Sequence, residues 1–325
     1  TIIELVKKKI VLNACGVKSL GGVKLFVEAF EYFSTLNEDI IVLYSENEFF
    51  GDLKNQSYEN GNVKFIQLTK KRYLHPYLNF LIGKKLMEEI NSSSAIIHFG
   101  NFGFDTQVKS FIFIQNILPF ISRNLKNRLL LFFINRSFEK AEHIVVQLSH
   151  TRGLINDKYK KKILQIGEIK QTKVKAIQKN NNIVCFGSNI PNKNFKFMLD
   201  VLNSLPDKQK VTIINPPTKL NEFNCVFTET HDQTLSVMSI NEIYFHASEF
   251  ETVGLPLYEA QELGLKVVAP IKPYSQNFLT NNVYLYHYKN IDDALNKINE
   301  AGISENDYLL ANSYTENWKQ VLDKI

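Results

Sequence analysis

Two carboxylates, Glu251 and Glu259, stand eight positions apart within HASEFETVGLPLYEAQELGLKVVAP, residues 246–270. Gly254-Leu255-Pro256 lies between them. Proline suits the first positions of a helix, where its missing N–H would have no partner in any case. A helix is therefore predicted from here to Gly264, preceded by the strand-like IYFHAS and followed by the apolar KVVAP, which makes a βαβ unit. The N–H groups that open such a helix favour an anion such as a phosphate. A carboxylate before the helix and another within it could accept hydrogen bonds from sugar hydroxyls beside that phosphate. A nucleotide-sugar presents both kinds of group. Either acid alone reads as a solvated side chain, and Glu259, placed in the first turn, would be favoured there by the helix dipole. The whole arrangement is what points to a site.

Two further turns could meet a phosphate. KIVLNA runs through CGVKSLGG into a helix opened by Gly21 and Gly22. Glycines at that turn either serve the turn itself or let backbone approach a ligand closely. In the second half, NIVCFG ends at Gly187 and a short loop leads to Lys193 at the start of the next helix. That lysine is either solvated, which the helix dipole mildly disfavours, or placed to neutralise a diphosphate. His98 at a strand end, His246 inside an apolar strand and His231 at a helix start all read as structural. The spacing of Gly16, Gly21 and Gly22 is not the dinucleotide fingerprint, and neither half combines that fingerprint with an acidic residue about 20 positions on, so NAD-dependent redox chemistry is not expected.

Positioning these residues takes strands and helices in alternation. Strands are predicted at 9–14, 39–45, 63–68, 95–99, 110–115 and 143–147, and again at 182–187, 210–215, 242–247, 266–270 and 283–287. Amphipathic segments such as GGVKLFVEAFEYF and KNFKFMLDVLNSL lie between them, the pattern of parallel sheets covered by helices. Two doubly wound domains are expected, 1–170 and 171–307, joined by the polar, Lys-rich IKQTKVKAIQKNNN (169–182). Residues 308–325 are predicted as an amphipathic helix carrying the single tryptophan, Trp318.

With 325 residues and 44% hydrophobic content, the chain can build two cores. Cys15, Cys185 and Cys225 are odd in number and fit neither a disulfide framework nor a zinc site, so reduced thiols and a cytoplasmic setting are expected. No run reaches the ~20 apolar residues of a membrane span, and no signal-peptide pattern opens the chain. The net charge of +5 is unevenly spread: residues 1–175 hold 26 Lys and Arg against 16 Asp and Glu. That half either meets something anionic or is simply well solvated. Its clusters Lys7-Lys8-Lys9, Lys70-Lys71-Arg72 and Lys84-Lys85 lack the aromatic interleaving of a nucleic-acid reader, so no nucleic acid is expected. The segment 121–141, with Arg123, Lys126, Arg128 and Arg136 around LLLFFI, either packs into the core or lies on an anionic membrane.

SEFETVGLPLYEAQELGLKVV resembles the E-x7-E signature of family 4 retaining glycosyltransferases. FGSNIPNKNFKFMLDVL, the Gly-Gly loop and YTENWKQVLDKI extend the similarity along the chain. FIFIQNILPF with EKAEHIVVQLSHTRGLI is similar to a subgroup of bacterial polysaccharide and O-antigen assembly. The resemblance implies the α/β GT-B fold: two Rossmann-like domains across an interdomain cleft, with the C-terminal helix crossing back to the first. It implies a hexose or N-acetylhexosamine moved with retention from a UDP- or GDP-sugar to a bacterial glycan acceptor carried on a lipid, without metal or cofactor, in the cytoplasm or peripherally on the inner face of the cell membrane. By position, Glu259 would hold the ribose and Glu251 the donor sugar. Val253, Gly254 and Leu255 would turn backbone N–H groups to the diphosphate, with Gly187 and Lys193 beside them. Gly21 and Gly22 would approach the phosphates from the first domain, and Gln115 and Asn116 would stand near the reacting sugar. Two departures from the family stand out: Ser188 and Asn189 occupy the place of an arginine, and Gln115 that of a histidine. A non-catalytic subunit of the same fold and a nucleotide-sugar epimerase are the alternatives.

Overall fold

The computed structural model describes residues 8–17, 20–36, 38–45, 50, 53, 63–69, 82–122, 124–176, 181–276, 278, 280, 282–304 and 308–325. Lys7, Lys70, Lys71, Arg72 and Arg123 lie outside them. The chain divides into two compact units, Thr1–Gly167 with Glu316–Ile325, and Glu168–Thr315.

In the first unit the order is β1 (Lys9–Asn13), α1 (Leu20–Ser34), β2 (Asp39–Ser45), β3 (Val63–Thr69), α2 (Lys84–Asn91), β4 (Ala95–Phe99), β5 (Lys109–Phe113), α3 (Leu118–Ile121), α4 (Leu125–Lys140), β6 (His143–Val146), α5 (Ser149–Leu154) and β7 (Ile163–Gln165). The strands form one parallel sheet in the order β3-β2-β1-β4-β5-β6-β7. Its central strands are apolar on both faces, as burial beneath two helix layers requires; every residue of β4 is buried. Strand order reverses between β1 and β4, and the loops after such neighbouring strands diverge, leaving room for a ligand at their carboxyl ends.

Helix α4 divides the apolar residues of 121–141 between core and surface. Ile134 and Phe138 are buried, whereas Leu125, Leu129 and Phe132 are 82%, 54% and 61% exposed. Spaced four and three residues apart, these three form one outward apolar stripe.

The second unit contains β8 (Gly167–Lys175), β9 (Ile183–Phe186), α6 (Phe195–Asn203), β10 (Val211–Ile214), β11 (Asn224–Val226), α7 (His231–Ser239), β12 (Ile243–Phe245), α8 (Leu255–Glu262), β13 (Lys266–Pro270), β14 (Val283–Tyr286), α9 (Ile291–Ile303) and β15 (Tyr308–Glu316). A six-stranded parallel sheet runs β11-β10-β9-β12-β13-β14, with its own reversal between β9 and β12. Phe197, Val201, Ile213, Phe245, Ile298 and their neighbours form the core on one face of it. Beneath the sheet the Lys266 ammonium donates to Glu242 at 2.7 Å and to the carbonyls of Ala301 and Ser304 at 2.8 and 2.9 Å, which closes the carboxyl end of α9. Both side chains are almost fully buried.

The Lys-rich stretch expected as a linker is strand β8 as far as Lys175, paired with β15. The segment expected as a C-terminal helix is strand over Tyr308–Glu316, and only α10 (Lys319–Leu322) is helical. In β15 Leu309 and Ala311 are buried and the residues on either side of Leu309 exposed, a period of two where helical spacing was expected. Trp318 is 2% exposed, its ring centroid 6.1, 5.8 and 5.3 Å from those of Phe33, Phe99 and Phe113 in the first unit.

Candidate functional site

In the second unit the loops after β9 and β12, the pair at the reversal, bring together residues far apart in sequence. After β9 the chain passes Gly187, where a Cβ would lie 2.4 Å from the Cα of Pro216, so only glycine lets the strand end pass. A single 3-10 turn, Pro191–Lys193, follows, and Asn194 in the left-handed region (φ 50°) starts α6. The turn is fastened to the neighbouring loop: Glu249 N–H donates to the Asn192 carbonyl at 2.6 Å, the Asn192 amide to the Phe250 carbonyl at 2.9 Å, and the Asn194 amide to the Tyr288 hydroxyl at 2.6 Å. Lys193 is thereby aimed across the gap, its ammonium 2.5 Å from Glu251 Oε1.

Glu251 is 13% exposed. Burial pushes its carboxyl upward, but the Lys193 charge, with His246 and hydrogen bonds from Lys193 and Ser248, holds it below the usual carboxylate range. It is an ionised acid in a largely dry place, a strong acceptor for ligand hydroxyls. Gly254, at φ +78° where a side chain would be strained, caps α8 with Pro256 next to the first residue. Val253 is buried, and Leu255 opens the helix. Glu259 is the fifth residue of α8, not in its first turn as expected, so the dipole does not account for it. Its side chain is 9% exposed and lies 3.5 Å from His231 Nε2. His231 opens α7, but Thr230 and Gln233 make the capping box there, which leaves the imidazole for Glu259.

The structure also finds a residue the sequence reading placed in the core. His246 Nε2 is 3.6 Å from Glu251 Oε1, and Nδ1 is 2.9 Å from the Tyr244 hydroxyl. Burial, with Lys193 adding to it, pushes its pKa down to about 4 against the pull of Glu251. Only its place two residues past the centre of a strand followed by the acidic loop could have signalled this. At the place expected from the sequence resemblance to hold an arginine, the half-buried Ser188 accepts from the Ile190 N–H at 3.2 Å and Asn189 is exposed.

In the first unit the loops after β1, β4 and β5 converge at the strand reversal. Gly21 and Gly22 are the second and third residues of α1, Gly21 exposed with open space around its Cα. The Gln115 amide reaches the Gly22 carbonyl at 3.5 Å, so these two expected positions do meet. Asn101, buried and left-handed at φ 75°, holds the loop: its Oδ1 accepts from the N–H groups of Gln115 and Asn116 at 2.8 and 3.0 Å, and its amide donates to the Asn116 carbonyl at 2.5 Å. Just before it, a Cβ on Gly100 would lie 2.8 Å from the Cα of Gly16. The sequence reading passed over Asn101, because a side chain that replaces a turn's backbone partners has no spacing signature.

No protein-family model matches the chain, and no curated protein matches it in sequence. Solved structures do. Anabaena Alr3699/HepE, in complex with UDP and glucose, is 15% identical with a TM-score of 0.63 over 90% of this chain and 89% of its own. A glycosyltransferase from Rickettsia africae ESF-5 is 13% identical, TM-score 0.66, over 91% and 88%. WaaG, a glycosyltransferase involved in lipopolysaccharide biosynthesis, is 12% identical, TM-score 0.60, over 91% and 90%. The α/β architecture of this chain is the GT-B fold of these glycosyltransferases.

Proposed function

We propose that the protein is a retaining glycosyltransferase that moves a hexose or N-acetylhexosamine from a UDP- or GDP-sugar to a glycan acceptor carried on a lipid. The observation that carries this is the Lys193–Glu251 pair beside the start of α8, with Glu259 further along the same helix. The HepE complexes with UDP and with UDP-glucose support a nucleotide-sugar donor.

In this reading Glu259 accepts from the ribose hydroxyls and Glu251 from hydroxyls of the donor sugar. Lys193 and the N–H groups of Val253 to Leu255 meet the diphosphate beside Gly187. The bond from the anomeric carbon to the diphosphate oxygen breaks as the acceptor oxygen bonds the same face. The acceptor proton passes to the departing phosphate. Stabilising that departing charge and holding the sugar in place supply the rate enhancement, and neither metal nor cofactor is required. The outward Leu125, Leu129 and Phe132, flanked by Lys126, Arg128 and Arg136, support a place on an anionic lipid surface. Among the described residues no helix is long and apolar enough to cross a membrane.

The test is turnover of a panel of UDP- and GDP-sugars. Losing a hydrogen bond to a charged group costs about 1.5–3 kcal/mol, so kcat/KM should fall roughly 10- to 150-fold in Glu251→Ala. Glu259→Ala should in addition weaken binding of the free nucleotide. Unchanged kinetics in both would remove these roles. Ser188 and Asn189, in place of a guanidinium, favour a second reading, a non-catalytic subunit; calorimetry showing no heat with millimolar UDP or GDP would support it. Conversion of a nucleotide-sugar into its epimer without an acceptor would point to an epimerase.

A further inference from the structure

His246 is 5% exposed, and its Nε2 has no hydrogen-bond partner among the described residues. A buried imidazole nitrogen without a partner is costly, so its direction calls for an explanation. The direction is toward Glu251, whose Oε1 is 3.6 Å away, just beyond hydrogen-bond length. The tautomer follows from the other side of the ring. Tyr244, 1% exposed, has a hydroxyl hydrogen that needs an acceptor, and His246 Nδ1 at 2.9 Å is where it points. With Nδ1 accepting, the ring proton sits on Nε2, as a donor facing a carboxylate. The backbone fixes the ring in place: the Tyr286 hydroxyl donates to the His246 carbonyl at 2.9 Å, and the His246 N–H bonds the Val268 carbonyl at 2.8 Å.

Glu251 Oε1 already receives the Lys193 ammonium. Under the function proposed above, on which this step rests, Lys193 also serves the donor diphosphate, and one ammonium drawn to a dianionic group relaxes its hold on the carboxylate. Glu251 would then be a buried anion losing its main counter-charge, with the Ser248 hydrogen bond left beside it. We propose that His246 is a positioning residue for Glu251: its Nε2–H closes on Oε1 when a bound donor draws Lys193 to the phosphates, so that the acid stays ionised and directed at the donor sugar. Tyr244 acts behind it by fixing the tautomer.

The experiment compares His246→Leu with His246→Gln, whose amide can carry an N–H to about the same place. In His246→Leu, kcat/KM for the nucleotide-sugar is expected to fall ten- to a hundredfold, while calorimetric affinity for UDP, which has no sugar for Glu251 to hold, stays within about twofold. His246→Gln is expected to recover most of the loss. A structural role alone would lower thermal stability in both without this split between sugar and nucleotide. Unchanged kcat/KM in His246→Leu, an equal fall in UDP affinity, or a glutamine variant no better than leucine would each overturn the assignment. Nitrogen-15 NMR of histidine-labelled wild-type protein decides the contact without reference to turnover: an Nε2-protonated neutral ring is expected, and an Nδ1-protonated ring refutes the proposal. A wild type that turns over no nucleotide-sugar while showing the Nε2 proton would sink the proposed function and leave the His246–Glu251 contact standing.

Discussion

At the scale of single residues, the acids of the site could be picked out from spacing, but their environment could not. Glu251 and Glu259 stood out because a glycine–proline turn separates them; that Lys193, 58 positions upstream, neutralises Glu251 is visible only once two loops fold together. The sequence alone reads His246 as a core residue, and it is buried, yet burial does not say which way a nitrogen points. Its titration gives a prediction. Unfolded, the ring takes a proton near pH 6.5, while in the folded chain, faced by Glu251, Lys193, Tyr244 and Tyr274, it stays neutral to about pH 4. Between those values the unfolded state binds a proton that the folded state refuses, so stability is expected to fall as pH drops from 6.5 to 4, by about 3 kcal/mol. Urea midpoints across that window should show a shallower slope for His246→Phe than for wild type. Glu251 acts at the foot of that range and below it. Its folded carboxyl lies below the usual value, so its contribution is present above about pH 4.3 and is lost as pH falls through the folded value.

Elements were easiest to read where they were most apolar. Strands β1, β2, β4 to β6, β9, β10, β12 and β13 fall where apolar runs place them, because a strand covered on both faces leaves few polar residues to blur the pattern. The edge strands β3 and β14 keep enough apolar positions to be read as well. β8 was missed for the opposite reason: KQTK in its middle is exposed, and a solvated strand has the composition of a linker. Helix α9 depends on an interaction no pattern announces, the Lys266 ammonium under its last turn. Lys266→Met leaves Glu242 buried without its cation and should destabilise the protein by about 3–5 kcal/mol; the double variant with Glu242→Leu should recover much of that. Chemical denaturation of the three proteins checks it. For α4, Leu129→Glu with Phe132→Glu is expected to abolish co-sedimentation with vesicles rich in phosphatidylglycerol and to leave thermal stability within about 0.5 kcal/mol, since both side chains face outward.

On the scale of the whole molecule, the alternation of strands and helices was enough to foresee two parallel sheets, and the reversals between β1 and β4 and between β9 and β12 explain why the candidate residues gather where they do. The end of the chain was not foreseen, because a strand followed by one turn of helix carries the same apolar residues as an amphipathic helix. Its weight lies in Trp318. Trp318→Ala should destabilise the first unit by about 3–5 kcal/mol, as large cavities in aromatic cores do. Hydrogen exchange is expected to quicken in β1, β4 and β5 and to change little in β9, β12 and β13.

The pairing of β8 with β15 has a consequence for how the gene can be cut. Because the chain leaves one unit at Gly167 and rejoins it at Glu316, the second unit is a guest spliced into a host, and its two ends are neighbouring, hydrogen-bonded strands. A fragment spanning 168–315 therefore carries both halves of its own clasp, together with Lys193, His246, Glu251 and Glu259, and should fold as an autonomous module when expressed without its host.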